Sequence, residues 1–280
     1  MNAEFLRNMI QSHGIYLALV VILIGLLFPF AVMISTSLKT WSEIYDGNPH
    51  WVPAEFMWRN FIEVWDKIEL AYYFRNSILI SIGATLFSVV FSLPAAYALA
   101  RIKFPGKQIV LYLLLAAQMF SPIIIIVSIF QLMSQLNLVD TIYSLIIING
   151  VFTLSFTIWL MHGYFASIPV ELEEAAKIDG CSRLSDFFRI IIPISKPGLV
   201  TVVIFAFICT WNEFMFAFTM TSTPENMPLT SGLFRLVGKF STQWHYLMAA
   251  SILAIIPVVA LFLYIEKNLV SGLTSGAVKG

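Results

Sequence analysis

Six predominantly apolar runs divide this sequence: Gly14–Ser35, Phe74–Ala100, Gln108–Met133, Thr141–Phe165, Gly198–Met220 and Tyr246–Val270. A helix needs about 20 mostly apolar residues to cross the hydrocarbon core of a bilayer. Each run meets that length, so the pattern predicts an all-α polytopic membrane protein with six transmembrane helices. Residues 1–280 then form a single transmembrane domain. The first run is longer than the apolar core of a signal peptide, and Ser35-Thr36-Ser37-Leu38-Lys39 follows it without a small-residue cleavage pattern, so it is read as a retained span. Between the runs lie one long polar connection, Thr36–Tyr73, and four shorter ones, with no internal repeat.

Basic residues orient the spans. The second-to-third connection carries Arg101, Lys103 and Lys107, the third-to-fourth carries none, and the fourth-to-fifth carries Lys177, Arg183, Arg189 and Lys196. Short basic loops stay in the cytoplasm. Both termini are therefore expected inside, in agreement with Arg7, Lys267 and Lys279, and Thr36–Tyr73 is expected outside. In the outer loop Phe61, Val64, Trp65 and Ile68 fall at helical spacing among Trp41, Trp51 and Trp58. That pattern fits an aromatic-anchored interfacial helix or a docking surface.

Composition sharpens this picture. Hydrophobic residues make up 59% of the chain and charged residues 11%, against roughly 45–50% and 25% in soluble proteins. The formal net charge of zero offers no basic face for nucleic acid. Cys181 and Cys209 fit no disulfide or zinc spacing and read as small apolar fillers. Pro29, Pro94, Pro122 and Pro257 interrupt spans, each removing a backbone donor inside lipid. Ser88, Ser92, Ala96 and Ala100 recur every fourth residue, a stripe suited to close helix packing.

The stretch from 167 to 197 is longer than a connector between two spans requires. Pro169 suits a helix start, and Glu171, Glu173 and Glu174 suit the first turn of its dipole. Glu173 stands four residues before Lys177, the favourable order for an ion pair. Asp179-Gly180 then stops the helix, with glycine available for a left-handed cap, and Ser182 is a good N-cap for a second helix. There Leu184, Phe187, Phe188, Ile191 and Ile192 form one apolar stripe, and Pro193 is expected to end it. A cytoplasmic helix–glycine–helix of this kind is built for contact with another protein.

The run Glu174-Ala175-Ala176-Lys177-Ile178-Asp179-Gly180, followed by Phe187, Ile190 and Pro193, resembles the EAA motif of ABC importer permeases. It departs at Cys181, where the motif has alanine, and at Ile192, where it has leucine. Trp211-Asn212-Glu213, Pro228-Leu229-Thr230-Ser231-Gly232-Leu233, Phe74-Arg75-Asn76-Ser77 and the ending Ser271–Gly280 resemble carbohydrate ABC importer permeases of the maltose-transporter (MalG-like) type. That resemblance implies the ABC type I importer permease (MetI-like) fold and a bacterial or archaeal inner or plasma membrane. It also implies an assembly with a second homologous permease, a cytoplasmic ABC ATPase dimer and an extracytoplasmic solute-binding protein that delivers a sugar or oligosaccharide. In the family the EAA loop docks on the ATPase, so Glu174, Ala175, Ala176, Asp179, Gly180, Phe187, Ile190 and Pro193 are the expected coupling residues.

No G-x-x-x-x-G-K-[ST] loop is present, so ATP is expected to bind the partner and this chain to need no cofactor. Neither H-E-x-x-H nor G-x-S-x-G occurs. His13, His50, His162 and His245 stand apart without ligand spacing, and neither a catalytic nor a metal site is expected. Glu213 is the clearest ionisable residue inside a span. With Trp211 and Asn212 it either lines a sugar path or makes structural hydrogen bonds. An ABC permease for a polyol or glycerol phosphate is the nearest alternative, and a secondary transporter a more distant one.

Overall fold

The structure, a computed structural model, describes residues 3–47, 50–238 and 241–277, with side chains from Ile15 to Tyr264. Arg7 and Lys267 lie outside the described side chains, and Lys279 outside the described residues altogether. Among the described residues the secondary structure is helical, apart from one isolated bridge between Val237 and Thr242. The chain divides into two compact units, residues 1–68 with 235–253 and residues 69–234 with 254–280.

The first unit contains α1 (Ala3–Ser37), α2 (Trp41–Tyr45) and α3 (Asn60–Lys67). Helix α1 runs uninterrupted through Pro29, and its apolar stretch is exposed along its length, the condition expected of a helix facing lipid or another subunit. The polar segment after it is tied by Asn60, whose side chain donates to the carbonyls of Ser37 (2.8 Å) and Lys39 (3.0 Å). The expected amphipathic helix forms as α3, with Val64 and Ile68 buried while Trp41, Trp51 and Trp58 stay exposed.

The second unit holds α4 (Leu70–Arg101), α5 (Lys107–Gln118), α6 (Pro122–Gln135), α7 (Ile142–Ser167), α8 (Glu171–Ile178), α9 (Arg183–Asp186), a π-helical turn (Phe187–Ile191), α10 (Ile192–Ile194), α11 (Lys196–Trp211), α12 (Met215–Met220) and α13 (Leu229–Phe234). The last helix, α14 (Trp244–Ala277), begins in the first unit and ends in the second. Helices α4 and α7 form the central pair. The small-residue stripe explains their approach: Ser88, Ser92 and Ala96 are completely buried, and the Ser88 hydroxyl meets that of Thr157 at 2.8 Å. Gly150 serves the same contact, since a Cβ there would come within 2.5 Å of Phe87.

Four helices are single candidate spans, and two bent pairs bring the number to six if each pair crosses once. The run Gln108–Met133, expected as one helix, is instead α5 and α6 with a bend of 96° between them. Pro122 opens α6 and holds Ser121 in an extended conformation, which breaks the hydrogen-bond ladder there. The run Gly198–Met220 likewise breaks after Trp211 and resumes as α12. Pro94 and Pro257, by contrast, stay inside unbroken helices.

Candidate functional site

Helix α8 carries Glu171, Glu173 and Glu174 in its first turn, where the N-terminal dipole favours carboxylates. It ends in the left-handed cap expected of Gly180, at φ 83°. The Gly180 N–H donates to the Lys177 carbonyl (3.0 Å) and the Cys181 N–H to that of Ala176 (2.9 Å), the paired bonds of a Schellman cap. Ser182 then caps α9, its hydroxyl accepting from the Ser185 N–H at 3.3 Å.

Pro193 does not end the second helix. The turn from Phe187 to Ile191 widens to π geometry, with the Ile192 N–H donating to the Phe187 carbonyl five residues back, and α10 carries the helix through Pro193 to Ile194. The following helix, α11, leaves at 78°. The wide turn also divides the apolar stripe. Phe187 and Ile191 are buried, Ile192 is half-buried, and Leu184 and Phe188 are exposed.

The buried half of the stripe joins this loop to the spans. Phe187 and Ile191 share one core with Ala96 and Leu99 of α4, Ile158, Met161 and Phe165 of α7, and Val202 of α11. The Phe187 ring lies 4.9 Å from that of Tyr97 and 6.3 Å from that of Phe165. Ala176 is buried and Ile190 half-buried, while Glu174, Ala175, Asp179, Gly180 and Pro193 are exposed. The predicted coupling residues thus divide into a face held by the spans and a face left open.

Glu173 does not pair with Lys177. Its buried carboxylate bonds Arg101, the last residue of α4, and also accepts from the Tyr97 hydroxyl at 3.2 Å. Arg101 further donates to the Ile168 carbonyl at 2.9 Å. Residues 72 positions apart are therefore locked together, a link that no local spacing announces. Nearby, Asp186 is 2% exposed and neither carboxyl oxygen has a hydrogen-bond partner. Burial first, and then the Glu173 carboxylate, push Asp186 above the usual aspartate range, while Lys177 and Arg101 act in the opposite direction.

On the opposite end of the second unit, Trp211 donates its indole N–H to the Ala254 carbonyl at 3.3 Å. Trp211 and Asn212 line a cavity of about 190 Å³ with Leu229, Thr230, Leu233 and Ala254, so the Trp-Asn-Glu and Pro-Leu-Thr-Ser-Gly-Leu motifs meet there. Glu213 is directed elsewhere. Its two carboxylate oxygens accept from the Phe216 (2.7 Å) and Ala217 (3.0 Å) N–H groups, capping α12, and its own carbonyl accepts from the Thr230 hydroxyl at 2.6 Å. Of the two readings of Glu213, these bonds favour the structural one.

The remaining external motif holds this region in place. Asn76 donates to the carbonyls of Glu225 (2.7 Å) and Met227 (3.0 Å), and Ser77 accepts from the Leu229 N–H at 2.8 Å. Gly232 is required where α13 crosses Tyr73, since a Cβ would stand 2.2 Å from that ring. Asp140 clamps the loop from the other side, accepting from Ser222 (2.9 Å) and Thr223 (3.1 Å) N–H groups. Burial alone would push its carboxyl up, but the backbone donors of Ser222 and Thr223, together with their side chains, outweigh it and hold it below the usual aspartate range. Among the described residues no group of His, Cys, Asp and Glu side chains could hold a metal ion, and Cys181 and Cys209 are free thiols.

Residues 88–275 match the family described as binding-protein-dependent transport system inner membrane component. The inner membrane ABC transporter permease protein YcjP of Escherichia coli (strain K12) is 35% identical over 98% of this chain and 99% of its own. The diacetylchitobiose uptake system permease protein DasC of Streptomyces coelicolor is 34% identical, over 93% of this chain and 95% of its own. The trehalose/maltose transport system permease protein MalG of Thermococcus litoralis is 34% identical over the full length of both. Among solved structures, a bacterial ABC transporter involved in the import of the acidic polysaccharide alginate aligns over 93% of this chain and 97% of its own. Its TM-score of 0.80 at 23% identity establishes a shared fold.

Proposed function

Because this chain belongs to the family of binding-protein-dependent transport system inner membrane components, we propose that it is the transmembrane permease subunit of an ATP-driven importer for a sugar or oligosaccharide. Relatives named for diacetylchitobiose and trehalose/maltose transport support the substrate class. The polyol and glycerol phosphate alternatives draw no support from these names. The chain acts as one permease domain of a multi-pass membrane protein, with both termini and residues 167–197 cytoplasmic. Its partners are a second homologous permease, a cytoplasmic ABC ATPase dimer and an extracytoplasmic solute-binding protein. ATP is bound and hydrolysed by the ATPase subunits.

The observation that carries this reading is the two-faced loop. Glu174, Asp179 and Gly180 are exposed on one side, while Phe187 and Ile191 are rooted in the core of α4, α7 and α11 on the other. Force applied to the exposed face reaches three spans through close-packed side chains, and a close-packed core transmits displacement instead of absorbing it. At the outer end, the cavity beside Trp211 and Asn212 offers an indole and an amide to a sugar, an apolar surface with a few polar groups suited to such a ligand. Co-purification of the ATPase with wild-type and Glu174→Lys permease tests the docking face. The variant should insert in the membrane and lose the ATPase, whereas normal co-purification and uptake would refute the assignment.

A further inference from the structure

At the basic end of the second unit, one cavity of about 580 Å³ lies between the end of α4, the start of α5 and the loop helices α8 and α9. Its lining includes Arg101, Lys103, Lys107, Lys177 and Arg183 against the single carboxylate of Glu173. That carboxylate is already taken by Arg101. Among the described residues the other four cations make no ion pair, and Lys107 has only a 3.4 Å bond to the Ala100 carbonyl. Asp186, which feels the charge of Lys177, does not line the cavity, so four cations and one already paired carboxylate leave the lining with an excess of positive charge that favours an anion.

A second cavity, of about 350 Å³, shares Tyr97 and Arg183 with the first. Its other walls are apolar: Val90, Leu93 and Pro94 of α4, and Leu184, Phe187 and Phe188 of the loop. A cationic chamber that opens beside an apolar slot, at the end of a membrane span, matches an amphiphile with an anionic head and a hydrocarbon tail. Glu174, Asp179 and Gly180, the exposed coupling residues, line neither cavity, and of the coupling residues only Phe187, on the face held by the spans, lines the second.

We propose that these joined cavities bind one anionic phospholipid of the inner leaflet, with its phosphate among Lys103, Lys107, Lys177 and Arg183 and an acyl chain along Leu93, Leu184 and Phe188. A basic residue near an anionic headgroup strengthens binding about fivefold, so two removed together weaken it roughly thirtyfold. Occupancy would brace α8 and α9 against the end of α4.

Native mass spectrometry of the assembled transporter, exchanged into equal phosphatidylglycerol and phosphatidylcholine, reads this directly. Phosphatidylglycerol should be retained preferentially by wild type, and the preference should fall roughly thirtyfold in Lys103→Gln/Lys107→Gln. Glycerophosphoglycerol or inorganic phosphate at millimolar concentration should not displace the lipid, because neither fills the apolar slot. Equal retention of the two lipids, displacement by free phosphate, or retention unchanged in the double variant would each overturn the proposal. So would a photoreactive side chain at position 103 that captures another subunit in place of lipid. The wild-type lipid comparison needs no variant to fold.

Discussion

The link between Arg101 and Glu173 is where the loop meets the end of α4 through charge, and breaking it should uncouple the transporter. The two side chains are 12% and 6% exposed, so solvent screens them little. Removing one member of a buried pair costs about 3–5 kcal/mol, because the other is left charged and dry. Arg101→Gln should lie at the upper end of that range, since it strands the Glu173 carboxylate with only the Tyr97 hydroxyl and also loses the bond to Ile168. Glu173→Gln should cost less, because Arg101 keeps the Ile168 carbonyl. The double variant Arg101→Gln/Glu173→Gln should recover a large part of the loss, as both charges are gone. Thermal unfolding of the purified complex measures the stability cycle, and uptake per ATP hydrolysed in liposomes measures coupling. Arg101→Gln should retain the ATPase but move less substrate per ATP. Single variants that each cost under about 0.5 kcal/mol, add independently and couple normally would refute the reasoning.

Gly180→Val should strain the left-handed cap by about 1–2 kcal/mol, while Gly180→Asn should be strained less, because asparagine visits the left-handed region that a β-branched residue avoids and no neighbour stands within 4 Å to penalise either side chain; equal uptake by both variants would contradict the cap. Asp186→Leu should raise thermal stability by about 1–3 kcal/mol at neutral pH by removing a buried, unpartnered carboxylate. Because the folded state holds the Asp186 pKa above its unfolded value, the stability its protonation supplies is complete below the unfolded pKa and lost as pH rises through the folded one. The advantage of the leucine variant should therefore shrink in acid, and a pH-independent difference would count against it. Glu213→Ala should cost about 1 kcal/mol through the lost cap on α12, whereas Asn212→Ala should change half-saturation for sugar at unchanged stability; the reverse pattern would exchange their roles.

The four candidate spans that form as single helices were legible because the constraint behind them is one-dimensional. About 20 apolar residues must be contiguous to cross lipid, and the sequence shows that contiguity directly. The Gly180 cap, the Ser182 cap and the stripe burying Phe187 were legible for a similar reason, since each depends on residues within a turn or two. Whether a proline breaks a helix was not legible: Pro94 and Pro257 sit within unbroken helices, while Pro122 marks a sharp bend. The neighbouring helices decide how the freed carbonyl is satisfied. Glu173 illustrates the same limit. Its i+4 neighbour Lys177 is exposed and free to hydrate, so the carboxylate pairs with Arg101, brought alongside by the packing of α4 against α7. Glu213 admitted either a path or a structural role because it lies within an apolar run. The run breaks at that point, and the break supplies the N–H groups that the carboxylate caps.

The central claim is that ATP hydrolysed by a separate subunit moves sugar through this chain. The decisive measurement reconstitutes it in liposomes with its partner permease and ATPase, and records ATP hydrolysis and sugar uptake with and without the binding protein. The account predicts that hydrolysis and uptake rise together when the sugar-loaded binding protein is added, and that Glu174→Lys abolishes both. Uptake driven by a proton gradient without ATP, or ATP hydrolysis by this chain in the absence of its partners, would contradict it.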